Sequence, residues 1–333
     1  DEGNRLETVR TSRNGLFWEE EAKIYYYPHG KMARVELGEN KVQGMDYVYT
    51  LQGWLKGVNA DRLDPSADIA GDGSGSGIFG PVSRDAISMA FDYYDGDYEP
   101  IGANNQFNTH LGGNLGNSSP GQYTGNARQR LINNAGLKNV AGMAAAYRYD
   151  QLNRLVESEA YLKNQQNWQS TNDFNTAYSY DPNGNTLSLT RFGSGNKMDE
   201  LGFNYQPGNN RLDYVSDQVS AQAYPGDIDN QQSGNYSYDG KGRLKQDLAG
   251  EVQNINWSYR DYMRHFVKAD GTTVYNDYDA AGKRVVQTID APRTENDMEI
   301  YYIRGADDEI MATYVYDVSK DSLYLRDQYL YAN

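Results

Sequence analysis

YRYDQLNRL, Tyr147 to Leu155, is the stretch whose reading decides the fold. Tyr147 and Tyr149 stand at i and i+2, so in an extended strand both rings point to one face. Asp150 opens a four-residue turn, because its carboxylate can bond the backbone two residues on. Asn153 fills the fourth position, where positive φ is needed and Asn is among the few residues besides Gly that supply it. Arg154 and Leu155 start the return strand on opposite faces, which leaves Leu155 free to pack beside the tyrosines. Nine residues thus spell a strand, a tight turn with a bulge, and a returning strand.

The pattern comes back along the chain. Its clearest further copies are YSYDPNGNTL (with Tyr178, Tyr180, Asp181 and Gly184), YSYDGKGRL (Tyr236, Tyr238, Asp239 and Gly242) and NDYDAAGKRV (Tyr278, Asp279 and Gly282). Looser copies are IYYYPHGKM from Ile24, YVYTLQGWL from Tyr47 and FNYQPGNNRL from Phe203. Turn starts are expected at Asp1, Tyr27, Thr50, Asp150, Asp181, Gln206, Asp239, Arg260 (a degenerate copy) and Asp279. One hairpin alone is marginal, but stacked hairpins bury a continuous aromatic row. The expected fold class is therefore all-β, a run of consecutive antiparallel hairpins with about 18 strands. The named Tyr, Asp, Asn and Gly residues are expected to be structural turn and aromatic positions, with no catalytic, cofactor-binding or metal role.

Composition alone points elsewhere. Leu, Ile, Val and Phe number only 59 of 333 residues, and 46 acidic against 31 basic residues leave a net charge of −15. Those values belong to disordered chains. The 30 tyrosines reverse that reading, since each brings a large buriable ring with a polar tip. With no Cys, disulfide frameworks, zinc ribbons and thiol nucleophiles are excluded. His29, His110 and His265 are far apart and share no ligand spacing. The acidity argues against nucleic-acid partners, and no run approaches the length of a membrane helix.

Between Thr50 and Asp150 the pattern lapses. The sequence divides into hairpins over 1–60, a Gly/Asp-rich insert over 61–143, and hairpins over 144–333. Within the insert, residues 61–80 read as a flexible loop. Pro81 to Phe91 reads as a short helix, with Ser83 as N-cap and Ile87, Ala90, Phe91 and Tyr94 on one face. A polar stretch runs from Asn104 to Ser119, and a second helix is expected around Gln129 to Ala135. The insert is expected to plug or cover one edge of the sheet.

Candidate chemistry is thin. Asp92, Asp95, Asp97 and Glu99 place oxygen ligands at alternate positions, as calcium loops do, without the full twelve-residue pattern. A solvated acidic turn is the expectation there. Asp64, Asp68 and Asp72 read as a flexible acidic loop. His29 sits in a turn, where a polar side chain is ordinary. Trp54, Trp168 and Trp257 could stack on sugar rings, although regularly spaced aromatics are first of all ladder residues. No cofactor is expected and no enzyme activity.

The repeated motif, with the strings YYYPHGKMARVELG (Tyr25 to Gly38), YTLQGWLKGVN (Tyr49 to Asn59) and AYRYDQLNRL (Ala146 to Leu155), resembles the Rhs/YD-repeat family over essentially the whole chain. That family includes bacterial polymorphic toxins, shell-forming Tc toxin subunits and animal teneurins. The resemblance implies a strand spiral wrapped into a hollow cocoon around a C-terminal effector, released through an aspartyl self-cleavage motif downstream of the repeats. No residue up to Asn333 matches that motif. Asp1 to Leu6 looks like the second half of a repeat and Tyr329 to Asn333 like the opening of another, so the chain reads as part of a longer protein. It would form at most about one turn of a shell, a sheet roughly 85 Å wide. The expected function is encapsulation, with the rest of the longer chain, its effector and delivery machinery as partners, in a secreted or cell-surface bacterial setting. Alternatives are an adhesion or carbohydrate-binding module, and a passive cargo or stalk of a larger assembly.

Overall fold

The structure, a computed structural model, describes residues 5–100, 107, 120–136, 142–164, 167–224, 226–292 and 297–329. The turn start at Asp1, most of the Asn104 to Ser119 stretch, His110 and the last residues through Asn333 lie outside the described residues.

Twenty-two strands and no helix make up the described residues, against the expected 18 or so. They are β1 (Thr8–Thr11), β2 (Glu19–Tyr26), β3 (Met32–Leu37), β4 (Gln43–Tyr49), β5 (Leu55–Val58), β6 (Ile87–Asp92), β7 (Gln129–Asn134) and β8 (Met143–Tyr149). Next come β9 (Leu155–Asn164), β10 (Asn167–Tyr180), β11 (Thr186–Gly193), β12 (Asn196–Tyr205), β13 (Leu212–Asp217), β14 (Tyr236–Tyr238) and β15 (Leu244–Asp247). The last are β16 (Val252–Trp257), β17 (Met263–Lys268), β18 (Thr273–Tyr278), β19 (Arg284–Asp290), β20 (Met298–Arg304), β21 (Ile310–Asp317) and β22 (Ser322–Gln328). Strands β1–β13 are neighbours in chain order in one sheet, and β14–β22 in another. The described residues form two compact units, one within 5–181 and 188–200, the other within 182–187 and 201–329.

The hairpins share one register. Tyr149 pairs with Leu155, Tyr238 with Leu244 and Tyr278 with Arg284, and in each case the ladder skips a residue just before the tyrosine. That recurrent bulge is what a three-residue loop closed by a positive-φ residue requires. Asn153 has φ +60°, Gly184 +91°, Gly242 +89° and Gly282 +86°.

The insert departs from its reading. The residues expected to form a helix up to Phe91 include β6, with Ser88, Ala90 and Asp92 buried on one face. Gln129 to Asn134 is β7, with Gln129, Leu131 and Asn133 buried. Helical spacing at 87, 90, 91 and 94 coexists with period-2 alternation at 87, 89 and 91, and hydrogen bonding to β5 on one side and β7 on the other selects the strand. These two strands extend the sheet between β5 and β8 instead of capping an edge. The insert's loops cover a face: Phe107 joins Val48, Ala90, Leu131, Ala144, Ala146 and Tyr161 in the core of the first unit, with Ile69 and Tyr98 packed against it. An ideal Cβ on Gly57 would lie 2.6 Å from the Met89 carbonyl and run into the Phe107 ring, so this contact depends on the missing side chain. A smaller cluster, Ala22, Ile24 and Val35, sits between β2 and β3. In the second unit the buried apolar residues include Leu201, Val215, Val274, Ile300 and Val315, one per strand.

Candidate functional site

One interlock recurs from hairpin to hairpin. Asp150 Oδ1 accepts the backbone N–H of Leu152 (2.9 Å) and of Arg154 (3.0 Å), while Oδ2 accepts Arg154 Nε at 2.7 Å. Asp239 repeats this with Lys241 N (2.9 Å), Arg243 N (3.0 Å) and Arg243 Nε (2.7 Å). Asp279 keeps the backbone bond from Lys283, at 2.9 Å. The turns close through Asn153 N to Asp150 O (2.9 Å), Gly242 N to Asp239 O (3.0 Å) and Gly282 N to Asp279 O (3.1 Å). Hydrogen bonds to the carboxylate, first of all from the Arg154 backbone, hold Asp150 below the usual carboxylate range.

Aimed by its aspartate, Arg154 lies 4.7 Å over the ring of Tyr180 and donates to the Asp181 carbonyl at 3.0 Å. Lys31 sits 4.5 Å from the Tyr49 ring and donates to Gly53 O at 2.7 Å. Arg243 reaches Ser258 O at 3.1 Å and lies 5.7 Å from the Trp257 ring. A tyrosine then completes the joint by reaching back. Tyr180 OH donates to Leu155 O (2.8 Å), Tyr238 OH to Leu212 O (2.9 Å) and Tyr278 OH to Met263 O (2.9 Å). Tyr26 does the same to Leu6 O (2.7 Å), Tyr205 to Thr186 O (2.9 Å) and Trp257 Nε1 to Leu244 O (2.7 Å). Tyr149 donates to Ala127 O at 2.8 Å. Burial pushes the phenols of Tyr149, Tyr180, Tyr238 and Tyr278 up, which keeps each a protonated donor.

The first tyrosines play other parts. Tyr178 lies nearly parallel to Tyr180 with centroids 6.4 Å apart, Tyr236 OH accepts from Gln231 Nε2 at 3.2 Å, and burial raises the Tyr147 phenol. The sequence reading treats the Asp and the Arg as separate turn and strand residues. Their pairing is signalled only by the Asp-x-x-x-Arg/Lys spacing.

The degenerate turn starts at Ser258, not Arg260: Asp261 N bonds Ser258 O at 3.2 Å, and Ser258 Oγ takes the Tyr262 N–H at 3.0 Å in place of a carboxylate. Turns of the same kind also form without Asp at the first position, among them Lys268–Gly271, closed at 3.1 Å, and Gly305–Asp308, closed at 3.2 Å. Tyr93 OH donates to Leu55 O at 2.9 Å, so the tyrosine half of the joint is repeated just beyond β6.

The acidic stretches are only partly solvated, with Asp95 exposed. Asp92 and Asp97 are buried, and Lys56, fully enclosed, donates to Asp92 Oδ1 at 3.0 Å and to Asp97 Oδ1 at 2.7 Å. Arg128 bonds Asp92 Oδ2 at 3.0 Å and Asp95 at 2.6 Å, and Asp97 Oδ2 takes the Tyr93 N–H at 2.8 Å. Two protein cations thus fill the place that a calcium ion would take among Asp92, Asp95 and Asp97. Glu99 is exposed.

In the 61–80 segment Asp64 is exposed, but Asp68 and Asp72 are buried, Asp72 clasping Arg34 Nη2 through both oxygens at 2.7 and 2.9 Å. Arg34 also meets Asp46 at 2.5 Å and Glu36 at 3.3 Å. A loop pinned to the sheet by such bonds is not the free loop its glycines suggest.

The aromatic candidates are engaged internally. Trp54 packs on Tyr93 with centroids 5.0 Å apart, Trp168 lies 5.6 Å from Lys163 Nζ against the core, and His29 stacks on Tyr27 at 5.2 Å. Exposed apolar surface lies elsewhere. Leu16, Phe17 and Trp18 protrude after the Asn14-Gly15 turn. Glu299, Tyr301, Ile303, Tyr314, Tyr316 and Leu323 line a shallow depression of about 490 Å³ on β20–β22.

No protein-family model matches the chain, and no curated protein does. Among solved structures, a crystal structure of TcdB2-TccC3 without its hypervariable C-terminal region is similar at 14% identity with a TM-score of 0.50, covering 93% of this chain and 13% of that one. The TcdB2-TccC3-Cdc42 structure is similar at 10% identity over 95% of this chain and 15% of that one, with a TM-score of 0.38 that adds nothing to the fold argument. The chain therefore shares an all-β fold with a small part of a much larger protein. Fold and motif agree with the Rhs/YD-repeat resemblance. Among the described residues no helix is long and apolar enough to cross a membrane.

Proposed function

We propose that this chain is a segment of an Rhs/YD-repeat shell wall, secreted or displayed by a bacterium, that encloses a C-terminal effector belonging to a longer chain. In this reading it performs no chemistry of its own. Its partners are the rest of its own polypeptide, the effector included. The support is the joint described above: Lys31, Arg154 and Arg243 bond carbonyls of the next turn, tyrosines such as Tyr180 bond carbonyls of the hairpin before, and the strands follow one another in chain order without crossovers. A wall built by sequential addition needs that property. By its name the similar structure lacks a hypervariable C-terminal region that belongs to TcdB2-TccC3, and such a region is the natural place for a variable cargo.

The test is electron microscopy of the full-length gene product together with protease digestion. A hollow particle holding a protease-protected C-terminal segment is the expected result. A solid or open stalk whose C-terminal segment is digested at the rate of the free segment would rule the reading out.

A second reading, a surface adhesion or glycan-binding module, is favoured by the depression lined by Tyr301, Tyr314 and Tyr316. A glycan array in which the chain gives no more signal than its Tyr301→Ser, Tyr314→Ser variant would dismiss it.

A further inference from the structure

Around Arg34 the negative charge exceeds what the protein supplies to balance it. Six carboxylates, Glu36, Asp46, Asp64, Asp68, Asp72 and Asp85, share one neighbourhood with three cations, Arg34, Lys41 and Arg84. Three negative charges remain, and Asp46, Asp68 and Asp72 are all buried. Charge withdrawn from water in this way must be paired, protonated or bound to a metal.

The carboxylate oxygens are gathered for the last of these. One oxygen from each of Asp46, Asp68 and Asp72 lies within 4.8 Å of the other two. Two oxygens held by one calcium ion at about 2.4 Å can be at most about 4.8 Å apart. Asp68 supplies a second, independent sign. It is 93% buried, its Oδ1 accepts the Asp72 N–H at 2.7 Å, and its Oδ2, also buried, has no donor within hydrogen-bonding reach, while the neighbouring Asp85 carboxyl adds a further negative group. Because buried polar atoms are nearly always satisfied, an oxygen left bare among carboxylates marks a place for a cation.

We propose that Asp46, Asp68 and Asp72 form a binding site for a divalent cation of the calcium type, pinning the 61–80 segment to strands β3 and β4. Asp46 and Asp72 use the lone pairs that Arg34 leaves free, and Asp68 Oδ2 gives its bare oxygen. Asp72 and Asp85 also line a cavity of about 440 Å³ together with Asp64 and Arg84, which gives the ion a way in and room for water ligands. The site is independent of the shell reading and would stand in an adhesion module equally well.

The test is calorimetric titration of calcium chloride into the chelator-treated 333-residue chain, with thermal unfolding in parallel. One ion should bind with a dissociation constant between about 10 µM and 1 mM, magnesium more weakly, and the melting temperature should rise. Asp68→Asn should weaken binding at least tenfold, while Glu99→Gln, at an exposed acid outside that cavity, should bind as the parent does. In the unmutated protein, calcium should slow amide hydrogen exchange in peptides spanning 66–75, a readout that needs no variant to fold. No heat and no melting shift at millimolar calcium would overturn the proposal. Unchanged binding by Asp68→Asn, or protection that spares 66–75, would do so equally.

Discussion

Lys56→Met keeps the length and apolar body of a fully enclosed side chain and removes only its charge. In the parent the ammonium stands 3.0 Å from Asp92 and 2.7 Å from Asp97. At an effective dielectric constant near 20, such contacts attract by about 5.5 and about 6 kcal/mol. Most of that gross attraction is offset by the cost of stripping water from three buried charges, and breaking a buried pair from one side costs a net ~3–5 kcal/mol. Arg128 continues to hold Asp92, so the carboxylate stranded by the change is chiefly Asp97, left with the Tyr93 N–H. A loss of about 3–4 kcal/mol is therefore expected in the first unit. Urea unfolding followed through Trp54, which packs on Tyr93, measures it. Adding Asp97→Asn to Lys56→Met should return at least half of the loss, because the uncompensated charge goes with it. A loss under about 1 kcal/mol, or a double variant no more stable than the single one, would refute the view that these acids are held by protein cations.

Tyr180→Phe deletes the donor to Leu155 O and should cost about 1 kcal/mol, read as faster hydrogen exchange where β9 meets β10. Gly57→Ala sets a methyl group against Phe107 and the Met89 carbonyl, so a loss of about 1–3 kcal/mol is expected in thermal unfolding, with Gly53→Ala as a comparison at a turn. Gly184 has φ +91° and open space around its Cβ position, so Gly184→Val should speed proteolysis of its hairpin through backbone strain alone, while Gly184→Asn should be milder. Asp317 is held down to about 2, first by its hydrogen bond from Lys320 and then by Ser319. Its folded value lies below its unfolded one, so its contribution is present above about pH 4 and is lost as pH falls toward 2. An NMR pH titration of the 317–322 turn should show that sign, and a midpoint at or above 3.8 would contradict it.

The hairpin register was readable in the nine letters because everything that sets it is local: Asp150 bonds residues two and four ahead, and Asn153 or Gly fixes the bulge. The links between hairpins were half readable. Arg154 and Tyr180 stand in the motif, but their contact depends on the spacing to the next copy. Ser258 shows how a hydroxyl can replace the carboxylate and hide a copy from a pattern keyed to Asp. The insert was misread for another reason. Ile87 to Phe91 satisfies helical and strand periods at once, and only its neighbours β5 and β7 break the tie. The buried acids escaped because their cations lie far away in sequence, Lys56 being 41 residues from Asp97 and Arg34 38 residues from Asp72. Clustered Asp among Gly reads as solvent-facing until those partners are known.

Each joint between hairpins has a direction. The basic residue of one hairpin reaches forward to the next turn, and the tyrosine of that next hairpin reaches back, so a row of them has one end that offers a basic side chain and a strand carbonyl and another that offers a turn carbonyl and a tyrosine hydroxyl. Two rows meeting tail to tail would bring like groups together and could not form the joint. Growth by whole hairpins, in contrast, creates a new joint identical to the last. A row that stops half a hairpin out of step leaves a basic side chain with no ring to cover.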